Sequence, residues 1–222
     1  MVGRTNDGPK RAGSHSTMAS IAYEVLRERI AEGHFRPNQR LVEAELGKFL
    51  NMSRTPIREA LRILAIDGLI YPEHVGWVVR EHTADEIAHI YETRAALEGH
   101  TARLAATRAT EDQLENIRLA LNEKDGEMRV DRDVLVGVNC PFHDSVAIAA
   151  ANPMLMNLAI RRRQYYFNVW LAKRHTDEEL TKAHNAHREI YMALVARNPD
   201  RAADAARRHV EVSAEMALKE LF

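Results

Sequence analysis

Of the 222 residues one is cysteine, Cys140, so the chain has no internal disulfide. A fold held by packing alone suits a reducing cytoplasm, the expected location. Glycine (10) and proline (7) are sparse and aromatics make up only 6%. That argues against turn-rich sheet architectures and favours helix. No apolar run reaches the roughly 18 residues needed to span a bilayer, and the N-terminus lacks the apolar segment of a signal peptide. No membrane partner is therefore expected. Excess charge is missing as well: the net charge is -1. Residues 1–82 hold 12 Lys/Arg against 10 Asp/Glu, a balance of +2, and the remainder is at -3. Sums this small leave the question of a polyanionic partner to the arrangement of the charges.

Hydrophobic residues make up 45% of the chain, enough for a substantial core in one or two domains. Residues 1–15, rich in Gly, Ser, Asn, Lys and Arg, read as a disordered tail. A helix is predicted over 17–33, with Ile21, Val25, Leu26 and Ile30 on one face. A short helix follows over 43–50, with Leu46, Phe49 and Leu50 turned inward. After the turn Asn51-Met52-Ser53, Ser53 is placed to cap a third helix that runs to about Ile66 and stops at Asp67-Gly68. Two short strands, 69–71 and 77–80, flank a Pro/Gly loop at 72–76. Three helices and a hairpin make the winged helix-turn-helix plan.

From Thr83 the character changes. Thr83 to Glu86, TADE, reads as a capping box opening a long helix to about Ala106. Further helices are predicted from Thr110 to about Met128 and over 132–150, 154–172, 177–197 and 199–220, punctuated by Pro153, Thr176-Asp177 and Asn198-Pro199. Antiparallel helices with short loops make a bundle. The fold class is thus mainly α: a winged helix-turn-helix at 16–82 and an all-α antiparallel bundle at 83–222.

The third helix carries the most informative pattern. Arg54, Arg58 and Arg62 drift only about 80° around a helix, so they share one face. Ile57, Leu61 and Leu64 lie opposite. The aliphatic side anchors the helix, and the cationic side is offered to a polyanion. A helix fits the DNA major groove, where arginine bonds guanine edges or phosphate. Ser53 and Thr55 stand at the helix start, suited to phosphate. His74 and Gly76 sit at the hairpin tip, where glycine permits close approach to a neighbouring groove. A generic arginine stripe is more often a solvated face paired with acids. Here Glu59 is the only acid inside the stripe, and the flanking turn and hairpin favour DNA.

In the second domain Asn139 and His143 share a helix face, and His187 and His209 lie on two later helices. Such groups converge in a bundle either as a metal site with open positions or as hydrogen-bonded core, and spacing alone leaves both readings open. Pro141 between the first two removes a helical N–H, so a kink or a late helix start is expected. Cys140 and His184 stand nearby as alternative ligands, each more readily structural. Glu98 is expected to face solvent or to pair with Arg94.

The segment LVEAELGKFLNMSRTPIREALRILAIDGLI (41–70) resembles the winged-helix domain of GntR-type bacterial transcription regulators. The resemblance implies that Arg54 and Arg58 are the main DNA contacts, supported by Ser53, Thr55, His74 and Gly76. Where some relatives carry an arginine after Glu43, this chain has Ala44, and Arg40 is a candidate substitute. NCPFHDSVAIAAANPML (139–155), AHREIYMALVARNPDRAADAARRHVEVS (186–213) and YETRAALEGHTARLAA (91–106) resemble the all-helical FCD-type ligand domain of the FadR-like subgroup. That resemblance implies a divalent metal (Zn, Ni or Mn) held by Asn139, His143, His187 and His209. It further implies a small carboxylate effector paired with Arg94, and with Arg161, Arg162 and Arg163 as further candidates. Asn139 replaces the commoner Asp, and a neutral amide is a poorer ligand for a hard cation. The expected molecule is a homodimeric regulator on a near-palindromic double-stranded operator, not an enzyme. The alternatives are a helical-bundle metalloenzyme acting on a small acid and a metal-free acyl-responsive regulator.

Overall fold

The computed structural model describes residues 17–121, 123–124, 127–128, 132–163 and 174–222, with side chains described except at 123–140 and 159–163. The expected disordered tail, 1–15, lies outside the described residues. The chain opens with α1 (Met18–Ala31), β1 (Arg40–Leu41), α2 (Glu43–Leu50), α3 (Arg54–Ile66), β2 (Ile70–Glu73) and β3 (Gly76–Val79). The strands form an antiparallel sheet in the order β1-β3-β2. β1 is an addition to the predicted hairpin: its two residues, Arg40 and Leu41, pair with Val78 and Trp77. Gly68, at φ +78°, closes α3 as expected. Gly76 has φ +100°, and a Cβ there would fall 2.9 Å from the Leu41 carbonyl oxygen. The wing therefore requires glycine where β3 meets β1.

Ile57, Ala60, Leu61 and Leu64 of α3 are fully buried against Ala22, Leu26 and Ile30 of α1 and Leu46 of α2. Two inward assignments need correction. Ile21 is exposed, and the smaller Ala19 and Ala22 occupy the packed face of α1. Phe49 is also exposed, its ring lying under the Arg29 guanidinium at 5.1 Å. In each case one apolar stripe was assigned more residues than its helix can bury.

The second half comprises α4 (Ala84–Arg108), α5 (Glu111–Ala120), β4 (Glu123–Lys124), β5 (Glu127–Met128), α6 (Arg132–Ala149), α7 (Pro153–Arg163), α8 (Asp177–Val195) and α9 (Pro199–Leu221). Capping boxes open α4 (Thr83/Glu86), α5 (Thr110/Gln113) and α8 (Thr176/Glu179), each satisfying otherwise orphaned N–H groups. α5 stops well short of Met128, and the antiparallel pair β4-β5 follows it. The Asp125-Gly126 dipeptide is a hairpin signal that the helical reading passed over. α6 starts at Arg132 and continues through Pro141, so the helix does not begin late at the proline. Beyond 163, the predicted remainder of α7 lies outside the described residues.

Two apolar clusters organise the packing. The winged-helix core extends beyond its own elements: it takes in Ile87, Ile90, Tyr91 and Ala95 of α4 and Val210 and Ala217 of α9. The bundle core gathers Ala102, Ala105 and Ala106 of α4, Leu114 and Ile117 of α5, Phe142 and Val146 of α6, Ile190 and Leu194 of α8 and Ala202, Ala205 and Ala206 of α9. Both α4 and α9 therefore pass through both clusters. Among the described residues, no helix is long and apolar enough to cross a membrane.

Candidate nucleic-acid interface and metal centre

α3 presents Arg54, Arg58 and Arg62 on its exposed side, with Thr55 exposed one residue into the helix. Ser53 occupies the N-cap position with extended backbone, but its hydroxyl makes no capping bond. His74 is exposed at the hairpin tip, two residues before Gly76. Arg58 is engaged on the surface: its Nε lies 3.0 and 3.2 Å from the Glu43 carboxylate oxygens and its Nη2 2.9 Å from Oε2. The bonds from Arg58 hold the Glu43 carboxyl below its usual range, and the Arg54 charge and Trp77 of β3 add to the effect. Arg58 remains half exposed, at 52%. Arg40 pairs with Glu73 of β2, so this candidate substitute already has an anion bound. The wing, α2 and the cationic face of α3 are thus tied together by charge-assisted hydrogen bonds. The Glu43–Arg58 pair joins residues on separate helices, and no local spacing rule points to it.

A second set of polar groups lies between the two apolar clusters. His143 of α6, His187 of α8 and His209 of α9 are buried, at 7%, 3% and 5% exposure. Their Nε2 atoms form a nearly equilateral triangle, with separations of 3.2, 3.2 and 3.1 Å. Among the described residues, these three form the group whose ligand atoms lie within 4.8 Å of one another. His184 is buried one turn before His187 and stays outside the triangle, as its readier, structural reading has it. Phe142 lies against the His143 and His187 rings at centroid distances of 5.4 and 4.6 Å.

The triangle tests the fit of a metal. Each neutral Nε2 either carries a hydrogen or presents a lone pair, so at least two of the three are alike. Two like groups in hydrogen-bonding range repel, and neutral imidazoles alone leave the triangle frustrated. Protonation is opposed by burial, which lowers His209 to about 4, with the nearby Glu98 acting in the opposite sense. Burial also pushes His187 well below its usual range, helped by its histidine neighbours. Separations of 3.1–3.2 Å leave a point about 2.1 Å from all three nitrogens, the usual imidazole–metal distance. These residues fit a divalent transition metal.

Glu98 completes the set and does not face solvent: it is 6% exposed. Its Oε1 accepts from Arg94 Nε at 3.2 Å, the expected pairing, and its Oε2 lies 3.1 Å from His143 Nδ1. Arg94, buried at 4%, also stacks on the Tyr91 ring at 4.7 Å. Burial works against the Arg94 charge, but Glu98 and Tyr91 more than offset it and its pKa is raised. The spacing of Arg94 and Glu98 on one helix signals their pairing, whereas the contact with His143 is tertiary. Asn139 stands on α6 four residues before His143, but its side chain and that of Cys140 lie outside the described residues. The side chains of Arg161, Arg162 and Arg163 likewise lie outside the described residues.

Comparison with known proteins places this geometry. Residues 19–79 match the family of bacterial regulatory proteins, gntR family, and residues 89–212 match the FCD domain. The "Probable D-xylose utilization operon transcriptional repressor" of Paenarthrobacter nicotinovorans is 32% identical over 206 residues, 92% of this chain and 90% of that protein. The "Nta operon transcriptional regulator" of Aminobacter aminovorans is 30% identical over 183 residues, 80% and 84% of the two chains. The E. coli McbR/YncC structure shares the fold, with a TM-score of 0.78 at 19% identity over 93% of this chain and 99% of that one. A GntR chain from Rhodococcus sp. RHA1 superposes with a TM-score of 0.71 at 26% identity over 92% and 99%. These families and relatives are regulators and not enzymes, which sets the metalloenzyme alternative aside. A winged reading head joined to a helical FCD domain, with relatives aligned along most of their length, makes this chain a transcriptional regulator of the GntR family with an FCD domain.

Proposed function

We propose that this regulator binds an operon's control region through residues 16–82 and senses a small carboxylate through residues 83–222. Arg54 and Arg58 read the major groove, with Arg62, Ser53 and Thr55 on phosphate and His74 and Gly76 at the wing. Arg40 plays a lesser part, since Glu73 already holds it. A homodimer pairs two reading heads on a near-palindrome, because one winged helix covers only a half-site.

In the sensor domain His143, His187 and His209 hold a divalent metal, with Asn139 as an oxygen donor. The bound metal supplies a positive anchor for a carboxylate oxygen. Glu98 Oε2, 3.1 Å from His143 Nδ1 and without a hydrogen-bond partner of its own, is positioned to favour the tautomer that leaves the Nε2 lone pair facing the triangle. Arg94 lies beside the site and pairs with an effector carboxylate if it is released from Glu98; Arg161, Arg162 and Arg163 are the other cationic candidates. The frustrated Nε2 triangle carries the reading, and it disfavours a metal-free acyl sensor, which has no use for three converging imidazoles.

The experiment combines selection of binding sites from random duplex DNA with elemental analysis and native mass spectrometry of the purified protein. Wild type is expected to enrich a two-half-site sequence and to retain about one metal per chain. Arg54→Ala and Arg58→Ala lose the enrichment while keeping helical content by circular dichroism, and His187→Ala loses the metal. Equal enrichment by both arginine variants overturns the interface, and a wild type that takes up no zinc, nickel or manganese overturns the centre.

A further inference from the structure

We infer that Glu98, acting through His143, provides the centre with the negative charge that Asn139 does not. This rests on the metal reading above. With neutral imidazoles and an amide, a dication would bring an uncompensated charge of about +2 into a layer closed on both sides by apolar clusters. Among the described residues, Glu98 brings a carboxylate oxygen to within 3.1 Å of a triangle histidine. Its two oxygens have different neighbours: Oε1 accepts from Arg94 Nε at 3.2 Å, whereas Oε2 is buried without a hydrogen-bond partner and lies 3.1 Å from His143 Nδ1. The unsatisfied Oε2 needs only a small rotation to accept the Nδ1–H; a carboxylate so placed fixes the ring, makes Nε2 a stronger donor and puts an anion one ring away from the metal position.

The simpler account makes Glu98 the counter-ion of buried Arg94 and nothing more. The two accounts differ in sign at Arg94. If Glu98 serves only the ion pair, disturbing either partner loosens the site. If Glu98 serves the metal, Arg94 competes for its charge, and removing Arg94 strengthens metal binding.

The test is zinc affinity of the full-length protein, read by competition with a chromogenic chelator, with thermal melts of each metal-free variant to establish folding. Glu98→Gln is expected to weaken zinc binding by about 10- to 100-fold. Arg94→Met is expected to tighten it several-fold. Glu98→Gln strands the Arg94 charge and can fail to fold. The double variant Glu98→Gln/Arg94→Met removes both charges, and it is expected to bind at least about tenfold more weakly than Arg94→Met alone. Adding Asn139→Asp to that double variant returns a carboxylate to the centre and recovers most of the loss. Equal affinity of Arg94→Met and the double variant overturns the inference, as does weakening by Arg94→Met. A wild type without zinc affinity overturns the metal reading itself, a result distinct from either.

Discussion

Replacing Glu43 by glutamine separates two roles for the Arg58 surface pair. A guanidinium has five N–H donors. Glu43 engages two of them, on Nε and on one side of Nη2. The three that remain include one on each terminal nitrogen, the fork that matches the O6 and N7 atoms of guanine. In this geometry Glu43 buttresses Arg58 from the side and leaves its reading end outward. Glu43→Gln keeps the shape, removes the charge and frees the arginine to rotate. A bidentate guanine contact discriminates by roughly 5- to 150-fold, and a loosened arginine forfeits part of that. The affinity for the selected site is expected to fall about fivefold. One fewer negative charge beside the groove raises the affinity for random DNA about twofold at low salt. The ratio of specific to non-specific binding therefore drops by about tenfold. Fluorescence anisotropy with selected and scrambled duplexes at two salt concentrations measures it. If Glu43→Gln instead tightens both duplexes equally, Glu43 restrains Arg58 and does not aim it, and the reasoning fails.

Other expectations follow from the same geometry. Arg54→Ala weakens selected-site binding by about tenfold and relaxes the sequence preference at the base it reads. An affinity within twofold of wild type would exclude Arg54 from the interface. Leu61, fully buried on the inner face of α3, costs about 3 kcal/mol of stability on change to Ala. A lower urea midpoint together with weaker DNA binding would show this, and an unchanged midpoint would refute it. The metal-free protein becomes less stable on acidification. His209 titrates near 4 when folded, chiefly because it is buried, and near 6.5 when unfolded, so the unfolded chain binds the extra proton between those values. Stability is complete above about pH 6.5 and drops by about 3 kcal/mol on the way to pH 4. Urea midpoints at pH 7, 5.5 and 4.5 measure it, and a flat profile contradicts the burial argument.

The sequence was most legible where local rules act alone. The capping box at Thr83 and Glu86 and the left-handed Gly68 are decided within four residues, and each lies where spacing put it. The face of α3 was legible too, because Ile57, Leu61 and Leu64 recur at helical spacing and all are buried. Legibility failed where a residue's role is set by distant partners. Phe49 reads as core and instead lies under Arg29. Glu98 reads as a simple partner of Arg94, yet its second oxygen meets a histidine of another helix. The histidine triangle lay between these cases. Family resemblance placed its members, but only their packing shows that no assignment of protons satisfies all three.

α4 shows how the two functions can share one fold. Its first turns put Ile87, Ile90 and Tyr91 into the core beneath the reading head. Its middle carries Arg94 and Glu98, and its last turns put Ala102, Ala105 and Ala106 into the bundle core. α9 runs through the same layers, with Val210 on one side of His209 and Ala206 on the other. The two helices pack so closely at Gly99 that a Cβ there would fall 2.7 Å from the Arg207 Cγ and 3.3 Å from the Ala203 carbonyl oxygen. A contact packed this densely has few intermediate arrangements, so it couples the two helices. On the effector reading proposed above, a ligand in the polar layer would act on the reading head through this packed pair. It does so only as far as it prefers one arrangement of the pair over another, so its effect on operator affinity is bounded by that difference in binding.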